Sequence, residues 1–146
     1  MKFEGSVEIK APREKVWAFL VDPEQVGSCG PGVQSIEKLD DGRFKAHAKV
    51  GLGFIAAKFV VTMSFTELDE PNRATILARG NAPGSAVDAT ARMALRDGEG
   101  GATVMDWGAN VNISGMIASV GARLIEGTAN KMIGQTFDCI RTKLEA

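Results

Sequence analysis

Apolar and polar residues alternate through most of the chain between Gly42 and Ile113. Successive side chains of a β-strand point to opposite faces, so this alternation predicts strands with one apolar face and one solvated face. Residues 58–66 illustrate the pattern, and an earlier run, residues 2–10, repeats it. An apolar face of this kind must be covered by another layer, which favours an antiparallel sheet packed on one side.

Two chemically different kinds of turn separate the predicted strands. Acidic turns lie at residues 40–42, 69–72 and 97–100, and apolar glycine turns lie at residues 51–55, 80–84 and 114–116. Successive turns of an antiparallel meander lie at opposite ends of the sheet, so one end is predicted to be acidic and the other apolar. The loop at residues 29–32 is expected at the apolar end, because the strand that follows it runs toward the turn at residues 40–42.

Helical spacing occupies the two remaining parts of the chain. A short helix is predicted to begin near Pro12 and to end before Asp22-Pro23, because the residue before a proline is pushed out of helical geometry. From Ser114 onward the spacing predicts one helix, capped by Ser114 and reaching Lys143, about 45 Å long at about 1.5 Å per residue. Its apolar stripe contains Ile117, Val120, Leu124, Ile125, Met132, Ile133, Phe137, Ile140 and Leu144.

The order of these elements resembles the START-like, helix-grip superfamily. A closer resemblance is carried by Phe3-Glu4-Gly5, Ala11-Pro12, Val16-Trp17, Leu20, Asp22-Pro23-Glu24, Cys29-Gly30-Pro31-Gly32, Asp41-Gly42, Val50-Gly51 and Ser114-Gly115. These segments are similar to the family of the carbon monoxide dehydrogenase G subunit. The resemblance implies an α+β helix-grip fold in a single domain, residues 1–146. In that fold a curved, seven-stranded antiparallel sheet wraps around a long C-terminal helix, with two short helices after strand 1.

The resemblance also implies a function. It points to an accessory protein of a molybdenum hydroxylase of the carbon monoxide dehydrogenase type, which handles a lipophilic quinone and helps to place the enzyme at the membrane. It carries over no catalytic residue. Many relatives continue past the long helix into a tail that could attach them to the membrane, whereas this chain stops at Ala146. At most peripheral membrane contact is therefore expected.

Side chains that could perform acid-base or metal chemistry fall on the solvated strand faces. His47 is the single histidine and shares strand parity with the lysines around it, so neither a catalytic residue nor a metal site is predicted. An alternative is an enzyme of the cyclase or dehydratase type. It would require a bulge that turns Asp88, Arg92 or Asp106 inward.

The inward faces predict a hollow, apolar interior. Seven inward alanines leave volume between the sheet and the final helix, and such volume invites a lipophilic guest. The predicted cavity-lining residues are Phe59, Met63, Phe65, Ile76, Met93, Met105, Trp107, Met116, Ile117, Val120 and Leu124. The predicted rim, or portal, consists of Cys29, Pro31, Leu52, Phe54, Ile55 and Pro83. The same rim would equally serve as a homodimer contact, or as a docking surface in an interaction module that recruits the hydroxylase to the membrane.

Composition narrows the classes of partner. The 146 residues carry a formal net charge of -1, which provides no bulk attraction to nucleic acid. Cys29 and Cys139 lie far apart in different kinds of segment, which predicts buried free thiols. Free thiols, together with an N-terminus that lacks the apolar core of a signal peptide, favour a location in the cytoplasm. No cofactor is expected beyond a bound quinone or lipid.

Overall fold

The computed structural model describes residues 1–53 and 55–146, and Phe54 of the predicted rim lies outside them. The strands are β1 (Lys2–Ile9), β2 (Val33–Lys38), β3 (Phe44–Leu52), β4 (Ile55–Asp69), β5 (Arg73–Ala82), β6 (Ser85–Asp97) and β7 (Thr103–Gly115). The α-helices are α1 (Arg13–Leu20), α2 (Pro23–Gly27) and α3 (Ala122–Leu144), and 3-10 turns occupy Glu99–Gly101 and Met116–Val120.

The seven strands form one antiparallel sheet in the order β1-β7-β6-β5-β4-β3-β2. The predicted fold class is confirmed: a curved seven-stranded sheet, a long C-terminal helix and two short helices after β1. The predicted inward face is the buried one, as Phe3 in β1, Phe59 in β4 and Leu95 in β6 show. β2 is the edge strand farthest from β1, and its pairing with β3 shifts register between Val33 and Ser35.

The two short helices are separated where the sequence predicted a break. α1 ends at Leu20, and the Asp22 carboxylate accepts a hydrogen bond from the Glu24 amide at 3.1 Å, so that α2 begins at Pro23. This cap leaves the first turn of α2 with one fewer unpaired donor. On the other side of α1, the fully buried Thr103 hydroxyl donates to the Ala11 carbonyl at 2.8 Å and ties the start of β7 to the segment before the helix.

The predicted continuous helix from Ser114 to Lys143 is wrong at its beginning. Ser114 lies inside β7, and residues 116–120 form a 3-10 turn. Gly121 then adopts φ +99°, a backbone conformation that interrupts helical geometry, so α3 begins only at Ala122. α3 has 23 residues and is about 35 Å long. Neither α3 nor any other helix in residues 1–53 and 55–146 is both long and apolar enough to cross a bilayer.

Two separate apolar clusters fill the ends of the interior. At the acidic-turn end, α1 and the C-terminal part of α3 pack on the sheet. This larger cluster contains Ile9, Ala11, Val16, Trp17, Phe19, Leu20, Cys29, Ala74, Leu95, Met105, Ile140 and Leu144. At the glycine-turn end, Leu52, Phe59 and Ile117 form a smaller cluster. The interior therefore has two separate apolar cores, one toward each end of the sheet.

A disulfide joins Cys29 to Cys139, and the prediction of free thiols is wrong. Their Cα atoms are 5.4 Å apart although 110 positions separate them in sequence. The fold brings them together because α3 runs back along the sheet and lays its C-terminal half beside the segment that follows α2. The expectation of a reducing cytoplasm used free thiols as a premise, and the disulfide removes that premise.

Candidate functional site

A cavity of about 380 Å³ lies between the sheet, α2 and the C-terminal half of α3. Its lining residues are Leu20, Pro23, Val26, Gly27, Gly30, Val33, Ile36, Ala46, Met63, Phe65, Ala74, Ile76, Ala91, Arg92, Met93, Met105, Trp107, Gly108, Thr136, Phe137 and Ile140. Small-molecule sites typically measure about 300 to 1,000 Å³ and have mainly apolar linings, so both the size and the chemistry are those of a ligand site.

The sheet provides the floor of the cavity, largely as the alternation predicted. Six predicted lining residues come together there: Met63, Phe65, Ile76, Met93, Met105 and Trp107. Inward alanines Ala46, Ala74 and Ala91 lie between these larger side chains and create the space. A methionine side chain can change shape around an irregular apolar guest, so the floor is adaptable.

Trp107 is held in place from both sides. Gly5, its neighbour on β1, has no side chain, and a Cβ there would lie 3.2 Å from the indole ring. On the other side, the Phe137 ring of α3 contacts the indole edge-on, with ring centroids 5.2 Å apart. Trp107 therefore connects floor and roof at a fixed point of the cavity, which makes it a fluorescent reporter for a guest.

The roof and the side wall differ from the prediction. Thr136, Phe137 and Ile140 of α3 form the roof, and residues of α2 together with the edge strand β2 form the side wall. Phe137 and Ile140 belong to the apolar stripe that the sequence showed, so a signal existed for them. No comparable signal marked α2, because five residues are too few for a helical period to be recognised.

Five predicted lining residues lie elsewhere. Met116 and Leu124 are solvent-exposed, at 62% and 39% of their full accessible surface, because the chain forms a 3-10 turn before Gly121 instead of a helix over the sheet. Ile117 and Phe59 are buried together in the smaller apolar cluster. Val120 is half-buried and is not among the residues that line the cavity.

The predicted rim does not form the mouth of this cavity. Cys29 is buried in the larger cluster and bonded to Cys139, and Leu52 is buried in the smaller cluster, so for these two the prediction is wrong. Pro31 and Ile55 are half-buried and Pro83 is exposed, and none of the three lines the cavity. The smaller cluster fills the interior between the cavity and the glycine turns. The side wall formed by α2 and β2 is only half-buried, so it is the thin side of the cavity, with little protein between the cavity and solvent.

The charged residues that an enzyme would need remain on the outer face of the sheet. Asp88 pairs with Arg79 at 3.6 Å, and Asp106 pairs with Arg96 at 2.9 Å. The hydrogen bond from Arg96, with a second from Ser6, holds the pKa of Asp106 below its usual value. No bulge interrupts the β6–β7 register, so the inward rotation that the enzyme alternative required does not occur. Arg92 is among the lining residues of the cavity, but it is exposed to solvent.

Comparison of the whole chain with known protein families gives a match over residues 5–145 to the carbon monoxide dehydrogenase G subunit (CoxG). The chain belongs to the CoxG family. A comparison with curated proteins finds no match.

Solved structures place this CoxG-family chain in the START-like fold. A conserved protein from Geobacillus kaustophilus superposes with a TM-score of 0.92 at 24% identity, covering 99% of this chain and 95% of that chain. A START superfamily protein from Mycobacterium smegmatis gives 0.71 at 12% identity, covering 99% and 97%. The Zhui aromatase/cyclase from Streptomyces sp. R1128 also gives 0.71, at 16% identity, covering 99% and 93%. At these identities the likeness is one of fold.

Proposed function

We propose that this CoxG-family chain is a noncatalytic carrier that binds a lipophilic small molecule, with a quinone as the favoured class, in the cavity beneath α3. The observation that carries the proposal is the cavity itself, about 380 Å³ in volume and lined almost entirely by apolar side chains. Among its described lining residues, Arg92 alone carries a charge, and Arg92 is exposed to solvent. A carrier needs such a lining, whereas general acid-base catalysis needs a titrating group within reach of the substrate.

The energetics of such binding are favourable. An apolar guest that buries about 300 Å² gains roughly 7 kcal/mol by desolvation, at about 25 cal/mol per Å². Loss of translational and rotational freedom opposes this gain. Trp107, Phe65 and Phe137 present aromatic surfaces to the guest, and the aromatic ring of a quinone would stack on these surfaces.

Titration with 2-methyl-1,4-naphthoquinone tests the carrier proposal. Trp17 is buried outside the cavity lining, so a Trp17→Phe variant leaves Trp107 as the single tryptophan reporter. We expect saturable quenching of Trp107 fluorescence, with an affinity that stays constant between about pH 5 and 8 because no histidine or carboxylate lines the described cavity. Absence of quenching together with an empty organic extract of the purified protein would contradict the proposal. An affinity that follows a titration curve would favour the enzyme alternative.

The accessory role is the second part of the proposal, and an exposed apolar patch supports it. Met116 lies near Gly84 and Leu124 near Gly53, both at the glycine-turn end, and both side chains are exposed. These two side chains define the proposed patch, because exposed apolar surface often marks a protein contact. We propose that this patch contacts a molybdenum hydroxylase of the carbon monoxide dehydrogenase type. The family name supports the choice of this partner, and the exposure of Met116 and Leu124 supports the choice of this contact surface.

Capture of the purified hydroxylase tests the accessory role. The double variant Met116→Glu with Leu124→Glu is expected to reduce capture at least about tenfold, because central apolar contacts carry most of the energy of an interface. Leu77→Glu is the matched control, since Leu77 is a similarly exposed leucine on the outer face of β5. Equal capture by the double variant and the control would remove the patch from the interface.

A further inference from the structure

The Cys29–Cys139 disulfide connects the segment after α2, which belongs to the side wall of the cavity, to α3, which forms the roof. Cys29 is the second residue after α2 and lies next to Gly30, which lines the cavity with Val26 and Gly27. Cys139 lies on α3 between Phe137 and Ile140, which form the roof. One covalent bond therefore fixes the distance between roof and side wall.

Apart from apolar packing in the larger cluster, few other interactions hold the side wall to α3. In the described part of the chain, a single side-chain hydrogen bond joins residues 22–32 to α3. The Lys143 ammonium donates it to the Ser28 hydroxyl. α2 has only five residues, and none of them is fully buried. The ends of the segment are attached more firmly. Leu20 is buried before it, and the Lys49 amide donates to the Gly32 carbonyl at 2.9 Å after it.

We propose that the disulfide is a redox-controlled latch on the cavity. In the oxidised protein it holds residues 22–32 against α3 and closes the thin side of the cavity. In the reduced protein this segment swings on its attached ends and lets an apolar guest enter and leave. The proposal deepens the carrier function and rests on it, because it makes guest exchange depend on the thiol redox state.

The chemistry is dithiol–disulfide exchange. Cys139 is half-buried whereas Cys29 is buried, so the thiolate of a dithiol reductant attacks Sγ of Cys139 and the Cys29 thiolate leaves. The second thiol of the reductant then attacks the mixed disulfide and releases Cys139. Two electrons and two protons pass to the protein, which gains two thiols, and the reductant becomes a disulfide. In reducing compartments, the disulfides that form are usually transient and redox-sensing.

The experiment measures guest release and segment opening in parallel. The guest is N-phenyl-1-naphthylamine, an apolar fluorescent probe that does not react with thiols, and the reductant is dithiothreitol. Hydrogen exchange of the amides of residues 22–32 is a second readout that requires no guest. A Cys139→Ser variant, with its fold checked by circular dichroism, is permanently unlatched and is measured with and without reductant.

We expect reduction to raise the release rate constant of the wild-type protein about tenfold and to speed amide exchange in residues 22–32. Cys139→Ser should show both changes without reductant and should not respond to it. The latch is overturned if reduced wild-type protein, with two thiols per chain by titration, releases the probe and exchanges amides like the oxidised form. If the disulfide of the folded protein resists dithiothreitol, redox control is overturned, because the exchange step requires a dithiol to reach Cys139. If the probe binds neither form and exchange still accelerates, the carrier function fails and the conformational latch stands.

Discussion

Ala91→Phe is expected to abolish binding of 2-methyl-1,4-naphthoquinone while leaving the protein folded. Ala91 points from β6 into the cavity, and a phenyl ring there would occupy space that the guest needs. Displacing half of a guest surface of about 300 Å² removes about 4 kcal/mol, which corresponds to a loss of several hundredfold in affinity. Because the new ring fills a void instead of crowding a packed core, the midpoint of thermal unfolding should stay the same or rise.

Ala56→Phe is the matched control for this change. Ala56 lies on β4 and is exposed, so the same substitution adds the same surface outside the cavity. Its affinity for the quinone should equal that of the wild-type protein. If Ala91→Phe and Ala56→Phe bind equally well, the guest does not occupy the cavity beneath α3, and the site assignment has to be abandoned even if binding itself is real.

The floor of this cavity could be predicted from the sequence because a strand has a period of two. Once Phe65 is assigned inward, the faces of the residues before it on β4 follow, up to the register shift with β5 that comes directly after Phe65. A pairing error of one residue would expose the whole apolar set. Met63, Ile76 and Met93 were placed in this way, with no knowledge of strand order. The alternation also placed Asp88 on the outer face, where it pairs with Arg79.

The roof could not be located from periodicity alone. Residues 116–120 continue the apolar stripe of α3, and a 3-10 turn and an α-helix share enough of that spacing to look alike over five residues. Gly121, with φ +99°, is where they diverge, and the sequence shows several glycines in this region with nothing to distinguish one from another. A roof predicted over residues 116–124 therefore lies, in the structure, over residues 136–140.

The disulfide was missed for a different physical reason. Cysteine pairing depends on distance in space, and 110 positions separate Cys29 from Cys139. Whether they meet depends on where α3 starts and how it crosses the sheet. The sequence places the start of this helix at Ser114, whereas α3 begins at Ala122, so the predicted path of the helix was already wrong. The strands and their inward faces follow from local sequence pattern. The roof of the cavity and the disulfide depend instead on the path of α3 across the sheet.

Gly32→Ala is expected to destabilise the protein by about 3 kcal/mol or more. Gly32 has φ +79°, and a Cβ there would lie 2.1 Å from the Lys49 carbonyl oxygen of β3. Backbone atoms cannot move aside like a flexible side chain, so the chain must shift where residues 22–32 join the sheet. Urea unfolding followed by circular dichroism measures the difference.

Gly42→Ala separates the two causes of this effect. Gly42 has a similar φ of +86°, yet nothing lies within 4 Å of the position a Cβ would take, so this variant carries only the conformational cost of about 1 kcal/mol. Equal losses of stability in the two variants would show that the contact of Gly32 with β3 is not tight. A larger loss in Gly32→Ala, accompanied by faster release of N-phenyl-1-naphthylamine, would show that the same close contact that stabilises the fold also keeps the α2 wall against the cavity.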